Sequence, residues 1–228
     1  ETQVLIQKRE LFPDISLQIT IPNEFKRIAP VNIGYTAGIE TSKVSPTWLA
    51  KGNEMDKILV VSNHAKNTYE NTSAMATRQD TGEQILYKLT TPVEVVHETT
   101  DRAEPEDIGI DLDYDFNFLT LSQWSPRKNF ENTIKWWVEE FIDQEVGLIV
   151  KTNTVNNSIT DRSHTNQRIQ NLLEKYPDRK CKVYLLHGDL SEGQMTSLYR
   201  NNKVKSLINI AHGEGFGLPL FEAAREAL

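Results

Sequence analysis

Residues His212 to Glu222, His-Gly-Glu-Gly-Phe-Gly-Leu-Pro-Leu-Phe-Glu, combine two carboxylates with three glycines. Gly213, Gly215 and Gly217 fall between an apolar run suited to a strand and a helical pattern that begins near Pro219. Glycines at such a junction let the backbone approach a ligand closely. The helix that follows offers unpaired N–H groups and the positive end of its dipole to an anion. Glu214 falls in the loop itself, and Glu222 is expected within the first turn of the helix. The plain alternative is a tight connection in which Glu222 only complements the helix dipole. Other chemistries lack their patterns. No His-Glu-x-x-His, Walker A loop or Gly-x-Ser-x-Gly elbow occurs, and the glycines are spaced by two, unlike Gly-x-Gly-x-x-Gly. The five histidines (His64, His97, His164, His187 and His212) show no metal-ligand spacing.

The elements that must carry this loop are clearest in the second half. Asn117–Leu121, Val146–Val150, Lys182–Leu186 and Ser206–Ile210 are short apolar runs suited to buried strands. Between the first two, Phe130, Ile134, Trp137, Val138 and Phe141 fall on one face of a helix. Ile169, Leu172, Leu173 and Tyr176 mark a second helical face, which Pro177 closes. Ser191 with Gln194 has the form of a capping box opening a third helix through Leu198 and Tyr199. Strands alternating with helices at this spacing imply a parallel sheet covered on both faces, a doubly wound α/β domain. In open sheets of that kind ligands bind at the carboxyl ends of the strands, where the glycine loop must lie.

The first half is less regular. Val4–Ile6, Val31–Tyr35, Ile58–Val61 and Val93–Val96 are strand candidates, with helices expected over Pro46–Met55 and Ala65–Asn71. Residues 98–115 are rich in acidic side chains, contain Pro105 and read as a linker. The expected organisation is an α/β unit over 1–97, an acidic linker over 98–115 and a second α/β unit over 116–228.

The segment Glu214-Gly-Phe-Gly-Leu-Pro-Leu-Phe-Glu222-Ala resembles the EX7E signature of glycosyltransferase family 4, retaining enzymes with the GT-B fold. The resemblance implies a GT-B-like α/β protein of two Rossmann-like doubly wound units, both incomplete here, the second being the nucleotide-sugar-binding one. It implies that Glu214 acts with Gly215, Phe216, Gly217 and Leu218 on the donor hexose and diphosphate, and that Glu222 binds the ribose hydroxyls. Carboxylates and backbone N–H groups suit a ligand so rich in hydroxyls and phosphate oxygens. After its first donor-domain strand the family places an Arg and, about six residues on, a Lys that bind the diphosphate. Lys128 fits the Lys, whereas Ser122 stands at the Arg position, with Arg127 as a substitute cation or a solvated turn residue. Such cations stabilise charge that develops on a leaving diphosphate. Gly34–Thr41 resembles the acceptor-side loop of the same family, which implies that Glu40 and Thr41 line the acceptor side; Thr41 alternatively caps a turn.

The implied reaction is retaining transfer of a hexose from a nucleotide-diphosphate sugar, UDP- or GDP-linked, to an unidentified saccharide, lipid or other acceptor. No further cofactor and no metal are implied. The implied setting is cytoplasmic glycan biosynthesis. Two rival readings stand beside it: an epimerase or phosphorylase on the same scaffold, and a catalytically silent sugar-nucleotide-binding protein, which the departure at Ser122 favours. The 228 residues, with 38% hydrophobic and 25% charged side chains, fit a globular chain. A net charge of −7 argues against a general nucleic-acid-binding surface. No run approaches the length of a membrane span; peripheral membrane contact of the full protein stays open. The single cysteine, Cys181, excludes an internal disulfide and reads as a small core residue. The chain reads as the inside of a longer protein of this family, so donor binding by the chain alone is expected to be weak.

Overall fold

The computed structural model describes residues 13–100 and 102–228; the strand expected at Val4–Ile6 lies outside them. The chain divides into two compact units. One runs through Thr99 and includes Glu214–Phe216; the other comprises Thr100–Gly213 and Gly217–Leu228.

The first unit opens with β1 (Ile15–Ile19), β2 (Val31–Thr36), α1 (Pro46–Gly52), β3 (Lys57–Val60) and α2 (Asn63–Asn71). An antiparallel hairpin, β4 (Ser73–Thr77) and β5 (Gln84–Lys88), precedes β6 (Val93–Val95). Strands β1, β2, β3 and β6 pair parallel in that order. Both helices start where a serine can cap them: Ser45 accepts from the Thr47 amide, with Pro46 at the first helical position, and Ser62 accepts from the Ala65 amide. Helix α1 ends at Gly52, short of the expected Met55, and Met55 is buried in the core instead. One core gathers Phe25, Leu49, Ile58, Val60 and Tyr69. Gly34 is required there, since a Cβ would lie 2.5 Å from the Phe25 ring.

The second unit holds β7 (Asn117–Leu121), α3 (Phe130–Glu140), β8 (Gly147–Lys151), α4 (Ile159–Leu173), β9 (Lys182–Leu186), α5 (Glu192–Tyr199), β10 (Val204–Leu207) and α6 (Leu218–Arg225). Its sheet is parallel throughout, in the order β10-β7-β8-β9. Because side chains alternate across a strand, β8 serves both faces. Leu148 and Val150 join Phe130, Ile134, Trp137, Ile169 and Leu173 under α3 and α4. Ile149 joins Leu119, Leu198, Tyr199 and Ala223 under α5 and α6. Cys181 is buried in the first of these cores, and burial pushes its thiol up. The capping box at Ser191 and Gln194 is formed in full.

Residues 102–116 form neither helix nor strand, yet Leu112 is buried in the α5/α6 core with Ile108 and Ile110 packed beside it. The last strand corrects the sequence expectation. It was expected at Ser206–Ile210, but β10 ends at Leu207, paired with Leu119. Ile208 still donates to the Leu119 carbonyl; beyond it, Asn209 turns its side chain onto the Ala211 amide and the chain leaves the sheet.

Candidate functional site

In the second unit β7 leads to β8 and β9 on one side, and the chain then returns to place β10 on the other side of β7. This reversal is a topological switch point, and the crevice at the carboxyl ends of such neighbouring strands is where open α/β sheets bind ligands. The two loops singled out from sequence leave the sheet there. The turn Pro126–Asn129 follows β7, and residues 211–217 follow β10.

The two loops are laced together. The His212 amide donates to the Arg127 carbonyl at 2.9 Å. The Arg127 guanidinium donates to the Gly213 carbonyl at 2.7 Å, and the Asn129 side chain donates to Ile210 O at 3.3 Å. Asn129 adopts left-handed geometry, φ 53°, which a short amide side chain tolerates, and its carbonyl opens α3 by accepting from Thr133. Arg127 is exposed and Lys128 is half-buried. A cavity of about 420 Å³ opens beside the turn, lined by Trp124, Pro126, Asn129, Arg168 and His212, with the Arg168 guanidinium 4.3 Å from the Trp124 ring centroid.

Glu214, Gly215 and Phe216 lie half-buried in the loop, and Gly217 begins α6 as its N-cap with φ 80°. That left-handed backbone suits glycine and strains any residue with a Cβ. Leu218 and Pro219 follow as the first helical residues. Glu222 is the fifth residue of α6, not part of its first turn, because the helix starts one residue before Pro219. Its carboxylate accepts a 2.9 Å hydrogen bond from the Tyr199 hydroxyl, whose pKa is raised by burial and by the Glu222 charge. The far end of α6 is anchored by buried Glu226, which accepts from Arg200 at 2.7 Å and from Arg225 at 2.9 Å. Burial opposes the Glu226 charge, but the two guanidiniums outweigh it and hold the carboxyl below its ordinary range.

A second set of bonds ties the β7 exit to the β8 exit. Ser122 donates its amide to the Lys151 carbonyl at 3.2 Å and accepts on its own carbonyl from the Thr152 hydroxyl at 2.7 Å. Trp124 donates to Asn153 O at 2.8 Å. Further out, Asp161 in the first turn of α4 accepts from the Thr154 and Val155 amides and lies 3.0 Å from His187 Nε2. The end of β9 is thereby bound to the start of α4.

Residues Glu40 and Thr41 belong to the first unit, in the bend between β2 and α1. The Thr41 hydroxyl donates to the Lys43 carbonyl at 2.8 Å, the local turn bond that was the alternative to a ligand role. Two residues at the site were not singled out from sequence. Tyr199 reads there only as an apolar helix position. Lys151 directly follows the apolar run Val146–Val150, and a charged residue in that place sits at the carboxyl edge of a parallel sheet, a signal that would have found it.

No protein-family model and no curated relative matches this chain. Solved structures do match its fold. A structure of trehalose-6-phosphate from E. coli bound with UDP-2-fluoro glucose superposes with TM-score 0.68 at 12% identity, covering 98% of this chain and 58% of its own. The trehalose-6-phosphate synthase OtsA gives 0.58 at 11% identity, covering 86% and 49%. The crystal structure of TarM gives 0.58 at 11% identity, covering 96% and 42%. The chain thus spans about half the length of these structures. With its parallel sheets, the likeness defines a GT-B-like α/β fold of two Rossmann-like units. Among the described residues, no helix is long and apolar enough to cross a membrane.

Proposed function

We propose that the protein to which this chain belongs is a retaining glycosyltransferase that moves a hexose from a UDP- or GDP-linked sugar to an acceptor. The observation that carries this reading is the lacing of the Pro126–Asn129 turn to the loop after β10, which holds two sequence-nominated anion-contact segments together at the switch point. The E. coli neighbour bound with UDP-2-fluoro glucose supports it from outside. In this reading residues 1–97 form the acceptor side, drawing on Glu40 and Thr41, residues 98–115 are the connection, and 116–228 hold the donor.

The chemistry follows from groups in or beside the loops. Lys128, with Arg127 second to it, steadies the charge that accumulates on the diphosphate as the sugar–phosphate bond breaks. The amides from Gly215 to Leu218 and the amino end of α6 act in the same sense. Their worth depends on being held in place before the reaction, which the ties of the Arg127 carbonyl to His212 and of its guanidinium to Gly213 support. Glu222 receives the ribose hydroxyls. Tyr199 occupies one lone pair of one carboxylate oxygen and fixes the rotamer, leaving acceptor sites for a diol. Glu214 contacts the hexose. Retention is proposed without a protein nucleophile or a divalent metal, and the setting is proposed as cytoplasmic.

Incubation of the full-length protein with a panel of nucleotide sugars and candidate acceptors, followed by product analysis, tests this. A glycosylated product with the donor's anomeric configuration is expected. An epimerised nucleotide sugar or a sugar phosphate would sink it in favour of an epimerase or phosphorylase. Ser122 at the position where the family has an arginine favours one other reading, a silent sugar-nucleotide binder. Glu214→Ala separates the two, since a silent binder has no turnover to lose.

A further inference from the structure

Lys151 is the last residue of β8, one of the two central strands, and stands in register with Leu121 at the end of β7. It borders a cavity of about 250 Å³ at the carboxyl edge of the sheet, with Ser122, Gln123, Asn153 and Pro219 on the other sides. The cavity walls are held by the ties between Ser122, Lys151 and Thr152 and between Trp124 and Asn153. Pro219 belongs to the first turn of α6, so the amino end of that helix borders the same space.

The Lys151 ammonium donates to the Gly188 carbonyl at 2.6 Å and makes no ion pair with any carboxylate among the described residues. Asp189 is the nearby charge, and its carboxylate takes a hydrogen bond from the Asn157 side chain. Burial lowers the Lys151 pKa, against the attraction of Asp189. A desolvated ammonium with one neutral partner retains N–H donors for an anion, and a carbonyl acceptor aims the head group without cancelling its charge.

We infer that Lys151 is an anion-binding residue, donating from the end of β8 to a phosphoryl oxygen of a diphosphate seated in the cavity that Ser122 and Pro219 border. The inference rests on the donor-site reading above and deepens it: the cation absent at Ser122 is supplied from the neighbouring strand. Lys151 Nζ is tethered to the Gly188 backbone, so a ligand meets it already oriented, and little side-chain entropy remains to be lost on binding.

NMR titration of the 15N-labelled chain measures this, because chemical-shift changes report even millimolar dissociation constants. The probes are inorganic pyrophosphate, UDP and uridine. Expected are shifts at residues 122–123 and 151–153 with pyrophosphate and UDP, and at least a tenfold weaker UDP affinity in Lys151→Met. Lys151→Gln is a second neutral variant, uridine affinity stays unchanged in both, and Lys151→Arg retains UDP within about threefold. Unchanged pyrophosphate and UDP affinities in the neutral variants overturn the inference. So does equal loss of UDP and uridine affinity, which marks a structural role, and so does an absence of shifts with every probe. Pyrophosphate binding that depends on Lys151, with UDP no tighter, keeps the inference and sinks the donor reading. UDP binding that depends on Glu222 but not on Lys151 does the reverse.

Discussion

Among the described residues each unit has a parallel sheet of four strands, but their strand orders differ. The first runs β1-β2-β3-β6, stepping one way in chain order; the second runs β10-β7-β8-β9 and reverses beside β7. Where a chain reverses, the loops leaving two neighbouring strands turn to opposite faces of the sheet and open a crevice. Where it steps steadily onward, successive connections lie on one face and no such opening forms. The coverage agrees. In the second sheet Leu148 and Val150 are buried on one face and Ile149 on the other. In the first, β1 leaves Ile15, Leu17 and Ile19 exposed at 61%, 58% and 72%. The second sheet is therefore packed on both faces, whereas β1 of the first leaves its apolar side chains uncovered.

The sharpest way to break this contrast is to cut equal holes in both sheets. Ile149→Ala is expected to cost about 3 kcal/mol in urea unfolding, and Leu17→Ala less than about 0.5 kcal/mol. Equal costs would mean that the first sheet is covered in solution and that the contrast is wrong. Next in size is the anchor of α6. Glu226→Ala leaves Arg200 and Arg225 without their shared carboxylate and is expected to cost about 2 kcal/mol, discounted because Arg200 is partly exposed. The same pair predicts an acid limb. A depressed folded pKa adds stability that is present above the ordinary value of 4.5 and lost as pH falls through the lowered one. The melting temperature should therefore fall below about pH 4.5, less steeply in Glu226→Gln than in wild type; parallel curves would refute the pairing.

Gly217→Ala strains a left-handed position and should cost about 1 kcal/mol while weakening UDP binding further than that strain explains. Loss of stability alone would leave this turn a helix cap and nothing more. The smallest effect expected is from Tyr199→Phe, about 1 kcal/mol or less of stability, since one hydrogen bond is removed and the ring stays. Its use is diagnostic. If Glu222 holds a ribose, UDP affinity should drop severalfold while pyrophosphate affinity stays; equal changes for both would place Glu222 outside the nucleoside contact.

Legibility in the sequence followed the same divide. The strands and helices of the second unit could be read because burial on both faces writes apolar runs and one-sided helical stripes; Lys182–Leu186 is reproduced residue for residue. In the first unit β1 and the β4–β5 hairpin are not read from sequence: Ser73–Thr77 alternates weakly, and β1, although Ile15–Ile19 alternates strictly, is short and carries no apolar run. Residues 108, 110 and 112 were hidden in the acidic stretch for a related reason: their period-two pattern is short and set among charges.

By itself the sequence determined the α/β class, the loop that brings Glu214 and three glycines between a strand and a helix, and the turn carrying Arg127 and Lys128. Those follow from local chemistry, namely hydrophobic period, capping residues and glycine freedom. Tertiary structure alone decided that β10 returns to lie beside β7, that Arg127 reaches Gly213, that Tyr199 holds Glu222 and that Lys151 stands next to Ser122. Each is a contact between residues distant in the chain, set by sheet order and packing, and no local pattern encodes which strand will be whose neighbour.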